Sequence, residues 1–130
     1  MTRSEAASLL LVDDELEFAT TLAERLRLRG HNAVVAPDGE SALALLRTSC
    51  FEAVVLDVML PGMHGIDVLQ RIRESPPGLP VILLTGQAGA RDGIEGMKLG
   101  ALAYLAKPVD LTELLELLDT LPGRGASARP

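Results

Sequence analysis

The chain has 130 residues, 48% of them hydrophobic, enough for one domain with a single sizeable core. Aromatics make up 2% with no Trp, and the net charge is −6, which argues against base-stacking platforms and phosphate-backbone surfaces and so against direct nucleic acid binding. A single cysteine, Cys50, cannot form an internal disulfide, which suits a reducing cytoplasm.

Taken from the start, the apolar run at 9–12 is far too short for a signal peptide's apolar segment or a membrane span, so no membrane association is expected. It reads as a strand, followed by Asp13 and Asp14. Residues 15–29 then carry Leu16, Ala19, Leu22, Ala23 and Leu26 along one helical stripe, with Gly30 as the stop signal. A second strand at 32–36 ends in Ala36 and Pro37, and a short helix is expected at 41–47. The third strand, 53–57, runs apolar up to Asp57, and a helix follows at 66–73. The fourth strand, 81–85, closes on Thr85. Residues 90–99 predict a helix weakened by Gly93 and Gly96, each costing roughly 1 kcal/mol against Ala, and therefore a mobile one. The fifth strand, 102–106, leads into Lys107, and Asp110 with Glu113 supplies a capping pattern for a last helix at 111–121. The domain thus spans 8–121. Residues 1–7 and the breaker-rich tail 122–130 (PGRGASARP) are expected to be flexible, the tail being either a true terminus or a linker stub.

Strands at 9–12, 53–57 and 81–85 show no polar alternation, as expected of a parallel sheet covered by helices on both faces. The β/α alternation predicts a doubly wound α/β fold with a five-stranded parallel sheet. Working sites in such sheets lie beyond the carboxyl ends of the strands. Asp13, Asp14, Asp57, Thr85 and Lys107 all fall there, while the second strand ends without a polar residue. That places it at an edge and favours the order 2-1-3-4-5. Singly, each residue has a plain structural reading: Asp14 with Glu17 as a helix cap, Thr85 as a turn residue, Lys107-Pro108 as a strand exit. Asp57 resists one, because a carboxylate in an apolar strand beside other acids costs free energy unless a cation compensates. Three acids and one ammonium leave two negative charges, which a hard divalent ion with oxygen ligands would neutralise, Mg²⁺ being usual where phosphate is handled. No His or Cys lies near these strand ends, which argues against zinc.

The stretches LLLVDDE (9–15), VVLDVMLPGMHG (54–65), ILLTG (82–86) and GALAYLAKP (100–108) resemble the receiver domains of two-component response regulators, the CheY-like superfamily with a flavodoxin-like (βα)5 fold, over essentially the whole chain. The resemblance implies that Asp57 accepts a phosphoryl group from the phosphohistidine of a sensor histidine kinase or phosphotransfer protein. It implies Mg²⁺ ligated by Asp14, Asp57 and the backbone carbonyl of Met59, with Asp13 acting through water. Lys107 would pair with Asp57 and later with a phosphoryl oxygen, Thr85 would donate its hydroxyl, and Gly86 would leave room for the donor. Tyr104 matches the switch aromatic, which follows Thr85 inward and reshapes the face of the fourth helix, fifth strand and fifth helix for an output domain, a partner or a self-dimer. The bond before Pro108 is cis in most of the family. The run LLTGQ with EGMKLGA also resembles receivers attached to transcriptional activators.

The chain departs from the pattern at three positions. His64 stands where Asp is common and reads as a surface loop residue. Met59 stands where many members carry a polar residue, and its side chain is placed to shield a phosphoryl group from water. Val109 replaces a common aromatic, a packing change. Rival readings are a flavodoxin-like cofactor binder, an aspartyl-phosphate hydrolase and a receiver-shaped module that acts without phosphorylation. The first lacks a phosphate-cradling loop after the first strand, and the second lacks the second Asp of a D-x-D motif, since Asp57 is followed by Val58 and Met59.

Overall fold

The computed structural model describes residues 8–74, 78–86 and 90–121. The elements alternate as β1 (Ser8–Val12), α1 (Leu16–Leu28), β2 (Asn32–Ala36), α2 (Gly39–Thr48), β3 (Ala53–Asp57), α3 (Gly65–Arg73), β4 (Val81–Thr85), α4 (Ala90–Lys98), β5 (Ala103–Ala106) and α5 (Leu111–Asp119). The five strands pair in parallel in the order β2-β1-β3-β4-β5. The doubly wound parallel sheet read from the alternation, with the order 2-1-3-4-5, is the fold of the protein. The ends expected to be flexible, 1–7 and 122–130, lie outside the described residues. Among those described, no helix is long and apolar enough to cross a membrane.

The continuous apolar strands split their side chains between two cores. Leu9, Leu11, Val55, Ile82 and Leu84 face α1 and α5, meeting Leu22, Leu26, Leu114 and Leu118. Leu10, Val12, Val54, Leu56 and Leu83 point the other way, towards Ala42 of α2 and Ile66, Leu69 and Ile72 of α3. Successive strand residues alternate faces, so an unbroken aliphatic run is what two covered faces demand.

Helix ends differ from the sequence expectation where a cap decides them. α2 begins at Gly39, ahead of the expected start, because the Asp38 carboxylate accepts the Ser41 N–H at 2.7 Å. At α5 Asp110 caps through the Thr112 N–H at 2.9 Å, and no return bond from Glu113 occurs among the described residues. The cap ascribed to Asp14 and Glu17 does not form. The residue at the N-cap of α1 is Glu15, whose side chain makes no capping bond. Gly30, at φ +89°, follows the end of α1 in the left-handed conformation that stops the helix.

The glycines of α4 turn out to serve close packing. A Cβ at Gly96 would run into the Leu83 side chain, and one at Gly93 would lie 2.6 Å from the Tyr104 ring. The missing side chains that weaken the helix therefore let it lie close against β4 and β5.

His64 is not a free loop residue. It is half-buried at the N-cap of α3, where Nδ1 accepts the Ile66 N–H at 3.1 Å. The first-turn N–H groups of a helix need an acceptor, and at this position an imidazole supplies it. His64→Ala is expected to lower unfolding free energy by about 1 kcal/mol in urea titrations. His64→Asp restores the acceptor and adds negative charge at the positive helix end, so it should be at least as stable as the parent. An alanine variant as stable as the parent would show that the cap contributes nothing.

Candidate functional site

Strand register brings the polar strand ends together. Val12 pairs with Leu56, Asp57 with Leu84, and Thr85 with Ala106, so the residues at or just past these pairs share one edge of the sheet. Asp13, Asp57 and Thr85 are buried there, at 2%, 5% and 2% exposure. One carboxylate oxygen each from Asp13, Asp14 and Asp57 lie within 4.8 Å of one another. Asp14 is the exposed member.

Lys107 reaches into this cluster from the end of β5. Its Nζ lies 2.8 Å from Asp13 Oδ2, 3.2 Å from Asp57 Oδ2 and 2.6 Å from Glu15 Oε1. The Phe18 ring centroid is 4.7 Å from the same nitrogen, a cation–π contact. Sequence reasoning missed Glu15 and Phe18. The available signal was the placement of Glu15 directly after the acid pair, with Phe18 three residues further along the same helix face. The expected Lys107–Asp57 contact is present but is the longest of the three.

The remaining bonds hold the carboxylates in place. Asp57 Oδ1 accepts the Met59 N–H at 3.1 Å, and Asp13 Oδ1 accepts the Glu15 N–H at 2.9 Å. Asp13 Oδ2 is buried and takes no hydrogen bond of good geometry, so the nearby ammonium is its compensation. The Lys107 N–H donates to the Thr85 carbonyl at 2.8 Å, tying these two residues together through their backbones. Among the described residues, nothing lies within 4 Å of where a Cβ on Gly86 would sit. The Lys107–Pro108 peptide bond is cis. Gly65, at the start of α3, packs on the backbone at the end of β3: a Cβ there would lie 2.5 Å from the Asp57 carbonyl oxygen. The Met59 side chain is exposed, and Tyr104 stands apart from the acids, half-exposed with its ring against Gly93. An open groove of about 520 Å³ lined by Leu43, Leu46, Phe51 and Ile72 lies towards the amino ends of the strands, remote from the acids.

The electrostatics show a cluster short of positive charge. Burial pushes the Asp57 carboxyl above its ordinary value, and neighbouring Asp13 adds to this against the pull of the Met59 N–H and Lys107. Burial alone would lower the Lys107 ammonium, but its close pairing with Asp13 and Glu15 outweighs that and holds it above the usual lysine value. Glu15 is lowered by its hydrogen bond with Lys107. Three carboxylates share one ammonium and Asp14 adds a fourth beside them, and the donors are all oxygen, one of them buried without a hydrogen bond. This donor set fits a hard divalent cation.

The family model of the response regulator receiver domain matches residues 9–119. The chain belongs to that family. As a receiver domain of two-component response regulators it is 39% identical over 128 residues to the transcriptional regulatory protein TcrA of Mycobacterium tuberculosis, covering 98% of this chain and 51% of TcrA. It is 45% identical over 107 residues to the transcriptional regulatory protein CpxR of Klebsiella pneumoniae, covering 82% of this chain and 45% of CpxR. The chain thus spans about half the length of the curated relatives it matches. Among solved structures, a response regulator receiver domain protein from Clostridium thermocellum superposes with a TM-score of 0.86 at 27% identity, covering 94% of this chain and 97% of that one.

The raised Asp57 value carries a stability consequence. The folded receiver holds this proton more tightly than the unfolded chain, so stability falls as pH rises from 3.8 through the raised value. In metal-free buffer Asp57→Asn should therefore melt above the parent at pH 7, and the gain should vanish once pH drops below the ordinary carboxyl range. Thermal melts across pH check this, and an equal or lower melting temperature at pH 7 would contradict it.

Proposed function

We propose that this receiver domain accepts a phosphoryl group on Asp57 from the phosphohistidine of a sensor histidine kinase or phosphotransfer protein. The observation that carries the reading is the buried Asp57 carboxylate set beside Asp13 and Asp14 with the Lys107 ammonium in reach. A carboxylate partly stripped of water is a better nucleophile, and Asp57 attacks phosphorus as the P–N bond of the donor breaks. Asp14, Asp57 and the Met59 backbone carbonyl would hold Mg²⁺, with Asp13 acting through water, and the ion would supply neutralisation of the phosphoryl oxygens' charge. Lys107 leaves its contact with Asp57 for a phosphoryl oxygen, and Thr85 donates its hydroxyl to another. Gly86, with no described residue within 4 Å of its Cβ position, admits the donor. The chemistry consists of positioning and charge compensation, as phosphoryl transfer generally does.

Signalling follows from the face formed by α4, β5 and α5. Thr85 moves towards the phosphoryl group and Tyr104 turns inward from its half-exposed position over Gly93. Moving a two-state equilibrium from 1:99 to 99:1 takes about 5.5 kcal/mol. Two or three charge-assisted hydrogen bonds of roughly 1.5–3 kcal/mol each are enough. The face then acts on an output domain or a second copy, in transcription regulation and in the cytoplasm. Residues 8–121 work as the receiver unit, and 122–130 as tail or linker.

Incubation with Mg²⁺ and acetyl phosphate, followed by mass spectrometry, is expected to place one phosphoryl group on the peptide containing Asp57. Asp57→Asn should take none, and labelling at another residue, or equal labelling of this variant, would overturn the proposal. The exposed Met59 side chain lies two residues past Asp57, where it screens the phosphoryl group from water. Met59→Asn should therefore shorten the phosphoryl lifetime by about 3- to 10-fold, on the scale of about 1 kcal/mol in barrier height. Equal decay rates in variant and parent would remove that role.

A further inference from the structure

The shortest of the three carboxylate contacts of Lys107 is the one to Glu15, which lies outside the trio of acids whose oxygens converge. Glu15 is the N-cap residue of α1, yet its side chain makes no capping bond, so the helix does not require this carboxylate. Its backbone N–H is fixed by Asp13 Oδ1 at 2.9 Å, which anchors it beside the cluster. Phe18, three residues on, turns its ring towards the same ammonium at 4.7 Å. The first turn of α1 therefore offers a seat made of one carboxylate and one aromatic face, at the solvent side of the site.

Within the cluster, the ammonium sits on Asp13 Oδ2 and Asp57 Oδ2, and both residues belong to the trio that could hold a divalent cation. Ammonium and divalent cation draw on the same carboxylates. Without another acceptor, Lys107 would have to remain on those oxygens or go into water. We infer that Glu15 is a positioning residue: it seats the Lys107 ammonium at the rim, so that Asp13 and Asp57 can turn to a divalent cation while Lys107 stays within the site. This rests on the reading that the acid cluster binds such a cation. A rival account treats Glu15 as an ordinary exposed ion-pair partner. Its side chain is 63% exposed, and exposed pairs of this kind contribute little. A second rival gives Glu15 no role beyond one more negative charge nearby.

A double-mutant cycle on the full chain separates these accounts. Mg²⁺ affinity is measured by calorimetry, with no phosphoryl donor present, for the parent, Glu15→Gln, Lys107→Met, the double variant, and Glu17→Gln as a control acid on the same helix turn. Glu15→Gln should weaken Mg²⁺ binding by about 3- to 10-fold, a coupling of the size usual for residues in contact. In the Lys107→Met background the same change should alter affinity by less than about twofold, because there is no ammonium left to seat. Glu17→Gln should stay close to the parent. Parent-like affinity in Glu15→Gln overturns the inference, and so does an equal loss in the Lys107→Met background, which would mark a plain charge effect. Asp14→Asn reports on the underlying reading separately. If it binds Mg²⁺ as tightly as the parent, or if the parent binds none, the cation site fails and the inference fails with it.

Discussion

One ammonium shared among carboxylates is the interaction on which the rest of the site depends. Lys107 meets Asp13, Asp57 and Glu15 within 3.2 Å. At that range, with an effective dielectric near 20, each of the two contacts to buried carboxylates, Asp13 and Asp57, is worth about 5 kcal/mol in gross Coulomb energy. Removing Asp13 and Asp57 from water costs several kcal/mol per ion, so the contacts offset burial and leave little over. The direction of each titration agrees. Burial keeps Asp57 high in spite of the ammonium, while Lys107 is held above its usual value by acids that outnumber it. The site is left with surplus negative charge and an oxygen-only donor set, a cluster that could hold a divalent cation.

The fold makes that concentration of charge possible. Parallel pairing aligns the carboxyl ends of β1, β3, β4 and β5, and two aliphatic cores fix the strands from both sides. Close approach is needed as well. Gly65 lets α3 start directly on the Asp57–Val58 backbone, where any Cβ would meet main-chain atoms that cannot move aside. The acid at the end of β3 is thus held by its strand, by the Met59 N–H and by the helix that follows.

Much of this was legible in the sequence. The unbroken runs through Leu9–Leu11, Val54–Leu56 and Ile82–Leu84 gave the parallel sheet, because only strands covered on both faces tolerate them. The lack of a polar residue after Ala36 placed β2 at the edge. Asp13, Asp14, Asp57, Thr85 and Lys107 could be found because each follows an apolar strand at the same edge. The roles of Glu15, Phe18 and His64 could not be read in that way. They depend on where a side chain points, and the same residues occur on any solvated helix start. The glycines of α4 were legible only as a propensity cost, since what they pack against comes from β4 and β5, elsewhere in the sequence.

The path from the acids to the α4 side of the sheet is short and largely backbone. Thr85 and Lys107 are joined by the 2.8 Å bond from the Lys107 N–H to the Thr85 carbonyl, which ties the ends of β4 and β5 to each other. Tyr104 lies in β5, three residues before Lys107, paired in register with Leu83, which also packs against Gly96 of α4. A pull on Thr85 or Lys107 is therefore felt at the strand carrying Tyr104 and at the helix beneath its ring. At Gly93 the ring lies over backbone with no side chain between them. A ring resting on bare backbone has fewer packed atoms to give up when it leaves than one set among side chains. The proposed switch would therefore run from the strand ends to the exposed surface of α4 and β5 along this backbone path, outside both cores.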